Sequence, residues 1–317
     1  MNQESQKRVL AAAAAIGTAA TGWGLWHLFS QYQKERSRSY RYLVEHSQVL
    51  QTAKGPIEVS ISGSGPPVLV VHGAAGGYDQ GKIKSEEFDG ITYISISRPG
   101  YLRTPLSTGR SPAEQADAMA ALLDVLEIDK TIFIGTSMGG LVGLFFALMH
   151  PQRCRGLVLI SAVNAPLPLY VSPLAILSPL MADDFLPWTV MNTKNLLRVR
   201  PDLRKQLSSQ PEKLELIDQL LQTAYPTSMR LSGLVNDGFQ VDHLEPLPLE
   251  NIRVPTLVIH GTKDEVVPFS QGVQSASRIS GATFIPIFEG THYCALTHHE
   301  VTFPAIKDFI AEVHQST

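Results

Sequence analysis

An apolar run, Thr131-Ile132-Phe133-Ile134, leads into Gly135-Thr136-Ser137-Met138-Gly139, and a charge-free stretch from Gly140 to Met149 follows before His150-Pro151 stops it. The first run has the length of a buried strand, and the stretch after the glycines has that of a buried helix. Joining the two with almost no spacer forces a turn so tight that one residue leaves the ordinary backbone basins. Glycines flank it where a Cβ has no room. Strand, G-x-S-x-G, helix is the setting of a nucleophile elbow, with the serine held above the carboxyl edge of a sheet. Free N–H groups at the start of the helix then face any anion that forms there. The pattern by itself arises by chance in roughly one chain in ten of this size, so its weight comes from its flanks and from partners elsewhere.

A serine hydroxyl near neutral pH needs a base, and the base needs a carboxylate to fix its tautomer. The run Thr256-Leu257-Val258-Ile259-His260 precedes Gly261-Thr262-Lys263-Asp264, and Thr283-Phe284-Ile285-Pro286-Ile287 precedes Glu289-Gly290-Thr291-His292. Ser137, Asp264 and His292 thus each fall just past an expected strand, in the chain order Ser, Asp, His. Asp237 and Asp242 are alternative acids. Acyl transfer also needs two N–H donors for an oxyanion. Met138, directly after the serine, supplies one. The loop His72-Gly73-Ala74-Ala75-Gly76-Gly77, after the run Val68-Leu69-Val70-Val71, supplies the other from Ala74. That loop lacks G-x-x-x-x-G-K-[ST] and G-x-G-x-x-G, so it is not a phosphate loop of either kind.

Further runs at Ile57 to Ile61, Ile91 to Ser97 and Leu157 to Ser161 read as strands. Ser111-Pro112 opens a helix with serine at the N-cap and proline in the first turn. Alternating strands and helices imply a mainly parallel sheet covered on both faces. The alternation breaks from about Ala162 to Pro248, where prolines are dense and short helical patterns such as Pro201 to Gln206 and Pro211 to Tyr225 lie between them. This insertion reads as a helical lid in which Tyr170, Met181, Phe185, Leu186 and Trp188 are candidates to line an apolar pocket or to form the lid's own core. The expected organisation is a tail at 1–8, an anchor at 9–29, a stalk at 30–54, a core at 55–163 and 249–317, and a lid at 164–248. Glu265 reads as a solvated neighbour of Asp264. His298 and His299 are expected at the surface, and Cys294 as a small core residue. Neither Cys154 nor Cys294 has a metal-ligand spacing, and no metal site is expected. A net charge of −3 gives no electrostatic case for nucleic acid.

Val9 to Phe29 are 21 residues without a formal charge. At 1.5 Å per residue that length crosses a hydrocarbon core of about 30 Å. Lys7 and Arg8 precede it, Lys34, Arg36, Arg38 and Arg41 follow, and Trp23, Trp26 and Phe29 gather at one end. The expectation is an uncleaved single-span membrane anchor, with the basic residues after it favouring a cytoplasmic catalytic domain. A cleaved signal peptide and a soluble or interfacial helix are the competing readings.

Taken together, His72-Gly73, Gly135 to Gly140, Gly261 to Asp264 and Gly290-Thr291-His292 resemble the α/β-hydrolase superfamily, in its group with an H-G-x-x-G oxyanion loop and a helical cap. The resemblance covers roughly Gly55 to His314. It implies an eight-stranded, mostly parallel sheet, a triad that needs no cofactor, and an acyl-enzyme intermediate. Ser97 to Thr104 depart from the D-x-x-G-x-G-x-S often found in the family, lacking the acid and the second glycine. Serine at 137, rather than aspartate, argues against the epoxide-hydrolase and haloalkane-dehalogenase branches. The expected activity is hydrolysis of small to medium apolar esters, thioesters or lactones. Acyl transfer, carbon–carbon hydrolysis or perhydrolysis with the same triad is the alternative, and a binding protein that has lost turnover is the reading from outside enzymology.

Overall fold

Strands whose apolar residues run without alternation occupy the middle of the sheet, where both faces are covered. The computed structural model describes residues 3–167, 182–192 and 207–315. Tyr170, Met181 and the pattern Pro201 to Gln206 lie outside the described residues. Eight strands, β1 (Gln48–Thr52), β2 (Gly55–Gly63), β3 (Pro67–Val71), β4 (Thr92–Ile96), β5 (Thr131–Thr136), β6 (Cys154–Ile160), β7 (Thr256–Gly261) and β8 (Thr283–Ile287), form one sheet in the order β1-β2-β4-β3-β5-β6-β7-β8. β1 with β2 and β2 with β4 are antiparallel, and every other pairing is parallel. β1 falls inside the stretch read as a stalk. It is a short edge strand with exposed glutamines at both its first and fourth positions, so it carries little of the apolar signal that marks an inner strand.

The helices are α1 (Gln3–Glu45), α2 (Tyr78–Gly81), α3 (Pro112–Val125), α4 (Met138–Met149), α5 (Phe185–Asn192), α6 (Pro211–Gln222), α7 (Leu231–Asp242), α8 (Phe269–Arg278), α9 (Cys294–Thr297) and α10 (His299–Gln315). Side chains alternate across each strand, so the sheet has two distinct cores. Leu69, Val71, Phe133, Leu157 and Leu159 belong to the one that includes α3 and α4. Val68, Val70, Ile132, Ile134, Val158 and Ile160 belong to the other, with Ile306, Ile310 and Val313 of α10. α3 starts on a full capping box: Ser111 Oγ accepts from the Glu114 N–H at 3.2 Å, and Glu114 Oε2 accepts from the Ser111 N–H at 2.9 Å.

The crossover from β3 to β4 is unlike its neighbours. It contains only the four-residue α2 and a three-residue 3-10 turn at Ser85–Glu87, whereas β4 to β5 and β5 to β6 cross through helices of 14 and 12 residues. One face of β3 and β4 is therefore covered by short, irregular backbone.

The chain divides into two units, Met1–Leu43 and Val44–Thr317. The first is taken up by α1, and here the structure corrects the sequence reading. Among the described residues no helix is long and apolar enough to cross a membrane, so the anchor expected at 9–29, and the single-pass localisation drawn from it, are overturned. Absence of charge was the misleading signal. Seven alanines, three glycines and two threonines fill more than half of those 21 positions, and side chains that small remove little apolar area from water. The helix also runs on without a break into the charged stretch that ends at Glu45.

Candidate active site

Ser137 joins β5 to α4 with φ 53° and ψ −118°, a conformation that costs a non-glycine residue about 1–3 kcal/mol. The surroundings hold it there. Its N–H donates to Ile160 O at 2.9 Å, and its carbonyl accepts from the Gly140, Leu141 and Val163 N–H groups at 2.9, 3.3 and 3.2 Å. The two flanking glycines are obligatory: a Cβ on Gly139 would lie 2.2 Å from Val71 O, and one on Gly135 would lie 2.5 Å from Gly139 O.

Asp264 sits at the carboxyl end of β7 with its carboxylate saturated by donors. Oδ1 accepts from the Val266 and Val267 N–H groups, both at 2.9 Å. Oδ2 lies 2.9 Å from His292 Nδ1 and 3.2 Å from His260 Nε2. Burial works against ionisation, but the hydrogen bonds from His260 and His292, the imidazole charge and the Val267 N–H outweigh it and hold the carboxyl below the usual carboxylate range. His260 was not singled out from sequence. Its place at the end of an apolar strand, four residues before an acid, was the available signal.

Ser137 and His292 line one cavity of about 340 Å³, together with Ala74. Among the described residues the Ser137 hydroxyl makes no hydrogen bond to the His292 ring; hydrogen bonds between a nucleophile and its base often tighten only around substrate. Met138 is buried at the first turn of α4. In the loop after β3, the Gly73 N–H donates to Gln80 Oε1 at 3.2 Å, and the Gly76 carbonyl accepts from Arg230. Ala74 lies between these two anchored residues.

Two buried arginines tie this loop to α7 and the residue before it. Arg98 donates to His72 O at 3.0 Å and Gly73 O at 3.3 Å, and makes a bidentate pair with Asp237 at 2.9 and 2.5 Å. Tyr101 Oη donates to the same carboxylate at 2.6 Å. Arg230 donates to Gly76 O at 2.6 Å and pairs with Asp79 at 2.8 Å. His72 Nε2 accepts the Arg98 N–H, while Nδ1 lies 2.6 Å from Gly73 O. Burial first, and then the Arg98 charge, push this imidazole well below its ordinary pKa. Asp237 is thus engaged as the counter-ion of Arg98, and Asp242 lies exposed at the end of α7. The segment after β4, which carries no acid of its own at Ser97, meets one from β2: Glu58, fully buried, accepts from Ser97 Oγ at 2.8 Å, the Arg103 N–H at 3.1 Å and Arg103 Nε at 2.7 Å.

Of the lid aromatics, Phe185 and Trp188 stack on each other at 5.9 Å in α5 and are not among the residues lining the cavity. Leu220, Leu221, Ala224 and Leu234 line it from that side instead. Glu265 is exposed, His298 and His299 are half-buried, and Cys294 is fully buried.

Residues 66–298 match the family model described as the alpha/beta hydrolase fold. The chain belongs to that family. A 2-hydroxymuconate semialdehyde hydrolase of Pseudomonas putida is 26% identical over 264 residues, which are 79% of this chain and 89% of that one. An uncharacterized hydrolase of Bacillus subtilis (strain 168) is 38% identical over a shorter stretch of 111 residues, 35% of this chain and 39% of that one. The structure of an alpha/beta hydrolase fold protein from Nakamurella multipartita superposes with a TM-score of 0.66 at 30% identity, covering 84% of this α/β-hydrolase and 98% of the other chain.

Proposed function

We propose that this α/β-hydrolase cleaves carboxylic esters, thioesters or lactones of small to medium apolar substrates through an acyl-enzyme on Ser137. The observation that carries the reading is the 2.9 Å contact between His292 and the buried Asp264, in a cavity that Ser137 also lines. Asp264 accepts the Nδ1 proton of His292 and leaves Nε2 free to accept one. As the Ser137 oxygen bonds to the carbonyl carbon, its proton passes to His292 Nε2. The carbonyl oxygen becomes an oxyanion held by the Met138 and Ala74 N–H groups. Collapse breaks the bond to the leaving group, which takes the proton from His292. Water then repeats the sequence: His292 removes its proton, the hydroxide equivalent adds to the acyl carbon, and Ser137 departs with the proton returned.

The relative named as a hydrolase of 2-hydroxymuconate semialdehyde favours a second substrate class for the same residues, and that compound belongs in any substrate panel. A fluorophosphonate probe tests the central claim. Labelling of the wild type that is lost in Ser137→Ala is expected, and failure to label the folded protein would overturn it.

A further inference from the structure

The cavity does more than expose Ser137 to solvent. From the carboxyl edge it continues down one face of the sheet, where Val70, Ile134 and Ile160 line it from β3, β5 and β6. Room remains there because the crossover from β3 to β4 carries only four residues of α-helix and a three-residue 3-10 turn. Ile83 and Phe88 from that crossover form one side of the hollow, and Phe303 and Ile306 of α10 form another. The rings of Phe88 and Tyr93 lie 6.0 Å apart, and those of Phe88 and Phe303 lie 5.2 Å apart. Tyr93 gives its hydroxyl proton to Gly81 O at 2.6 Å, so its polar tip is already satisfied. No aspartate, glutamate, lysine or arginine lines the cavity among the described residues. Gln80, Thr136, Ser137 and His292 put polar groups elsewhere in the lining. A polar chain lying against Ile134, Phe88 and Phe303, however, would lose its water without gaining partners, whereas an apolar one is stabilised by its burial.

We infer that this hollow receives the alkyl chain attached to the scissile carbonyl, so that the substrates are esters or thioesters of medium-chain fatty acids. The inference rests on the reading of Ser137 as nucleophile. The leaving group must lie against His292, which protonates it, and Tyr293, Leu220 and Leu221 line the cavity as well. The strand side, below Thr136 and Ile134, remains for the acyl chain. The lining reaches from Thr136 to the level of Tyr93, which stands opposite Val68 and through it level with Ile132. Two to four residues of strand at about 3.3 Å each give a depth of about 7–13 Å. A zigzag chain with bonds of about 1.5 Å advances about 1.3 Å per carbon, so about five to ten carbons fit.

The test is kcat/KM for p-nitrophenyl esters from acetate to myristate, beside alkyl acetates that carry the same chains on the leaving side. The acyl series is expected to rise about fourfold per methylene, equivalent to about 0.8 kcal/mol, to an optimum at about eight carbons, and the alkyl series to rise much less. Ile306→Trp and Ile83→Trp, which narrow the hollow, are expected to lower the octanoate-to-acetate ratio at least tenfold. Ile83 is half-buried in the crossover, so its variant keeps the test alive if a tryptophan in α10 prevents folding. A flat acyl series with turnover that Ser137→Ala abolishes would overturn the inference and leave the nucleophile standing. A rise confined to the alkyl acetates, or an unchanged ratio in a folded Ile83→Trp protein, would also overturn it. Turnover untouched by Ser137→Ala would instead defeat the reading beneath it.

Discussion

Arg98 and Asp237 stand 139 residues apart in the chain and are joined by two hydrogen bonds of 2.9 and 2.5 Å, with both side chains only 1% exposed. The pair connects the segment after β4 to α7. Because Arg98 also holds the carbonyls of His72 and Gly73, it fixes the backbone on which the proposed oxyanion donor Ala74 sits.

Removing one partner leaves a buried charge without compensation, which typically costs about 3–5 kcal/mol. Asp237→Ala is therefore expected to lower the unfolding free energy in urea by about that amount. Arg98→Met in the same chain should recover much of the loss in stability. It should not restore activity, because Arg98→Met itself removes the hydrogen bonds to the carbonyls of residues 72 and 73. Full recovery of kcat/KM in the double variant would show that the loop needs no such anchor.

Asp264→Asn keeps the shape of the side chain but ends its preference for a proton on His292 Nδ1. A loss of about 10⁴-fold in kcat is expected, the size associated with a wrong imidazole tautomer in a serine triad. Protein folding should survive, as checked by circular dichroism. A loss below tenfold would remove Asp264 from its proposed role.

The burial of His72 has a thermodynamic signature. Its pKa in the fold is far below the value of about 6.5 in the unfolded chain, so below that pH the unfolded state takes up a proton that the folded state refuses. The stabilising contribution is complete above pH 6.5 and is lost as pH falls, at about 1.4 kcal/mol per pH unit for the one proton. Urea unfolding at pH 7.5, 6.5 and 5.5 should show this slope reduced by one proton equivalent in His72→Gln.

Both cysteines are expected to resist alkylation. Burial pushes the Cys294 thiol up to about 11 and the Cys154 thiol up to about 12, so neither is a thiolate near neutral pH. Iodoacetamide at pH 8 should modify neither in the native protein and both once guanidinium has unfolded it. Rapid native modification at Cys294, two residues from His292, would mean that the site is more open than its packing implies.

What was legible in the sequence was local. Inner strands such as Val68 to Val71 announce themselves by unbroken apolar runs, and the elbow by glycines that no other residue can replace. β1 was not legible, since a five-residue edge strand with two exposed glutamines carries no such run. The N-terminal helix misled because freedom from charge was read as affinity for hydrocarbon, which Ala, Gly and Thr do not supply. The pairings of Arg98 with Asp237 and Arg230 with Asp79 depend on how distant segments meet, and no periodicity encodes that. Ser97 carries no acid, and that its hydroxyl meets the Glu58 carboxylate of another strand is likewise encoded by no local pattern.

The two arginine pairs couple admission to chemistry. A substrate too large for the space beneath α7 would have to lift that helix, and the strain would travel through Asp237 and Arg230 to the carbonyls of residues 72, 73 and 76. Misfit at the periphery would thereby displace the loop proposed to hold the oxyanion. Bulky substrates are therefore expected to lose in kcat as well as in KM, and Arg230→Met, which unties residue 76, is expected to shift that loss towards KM alone.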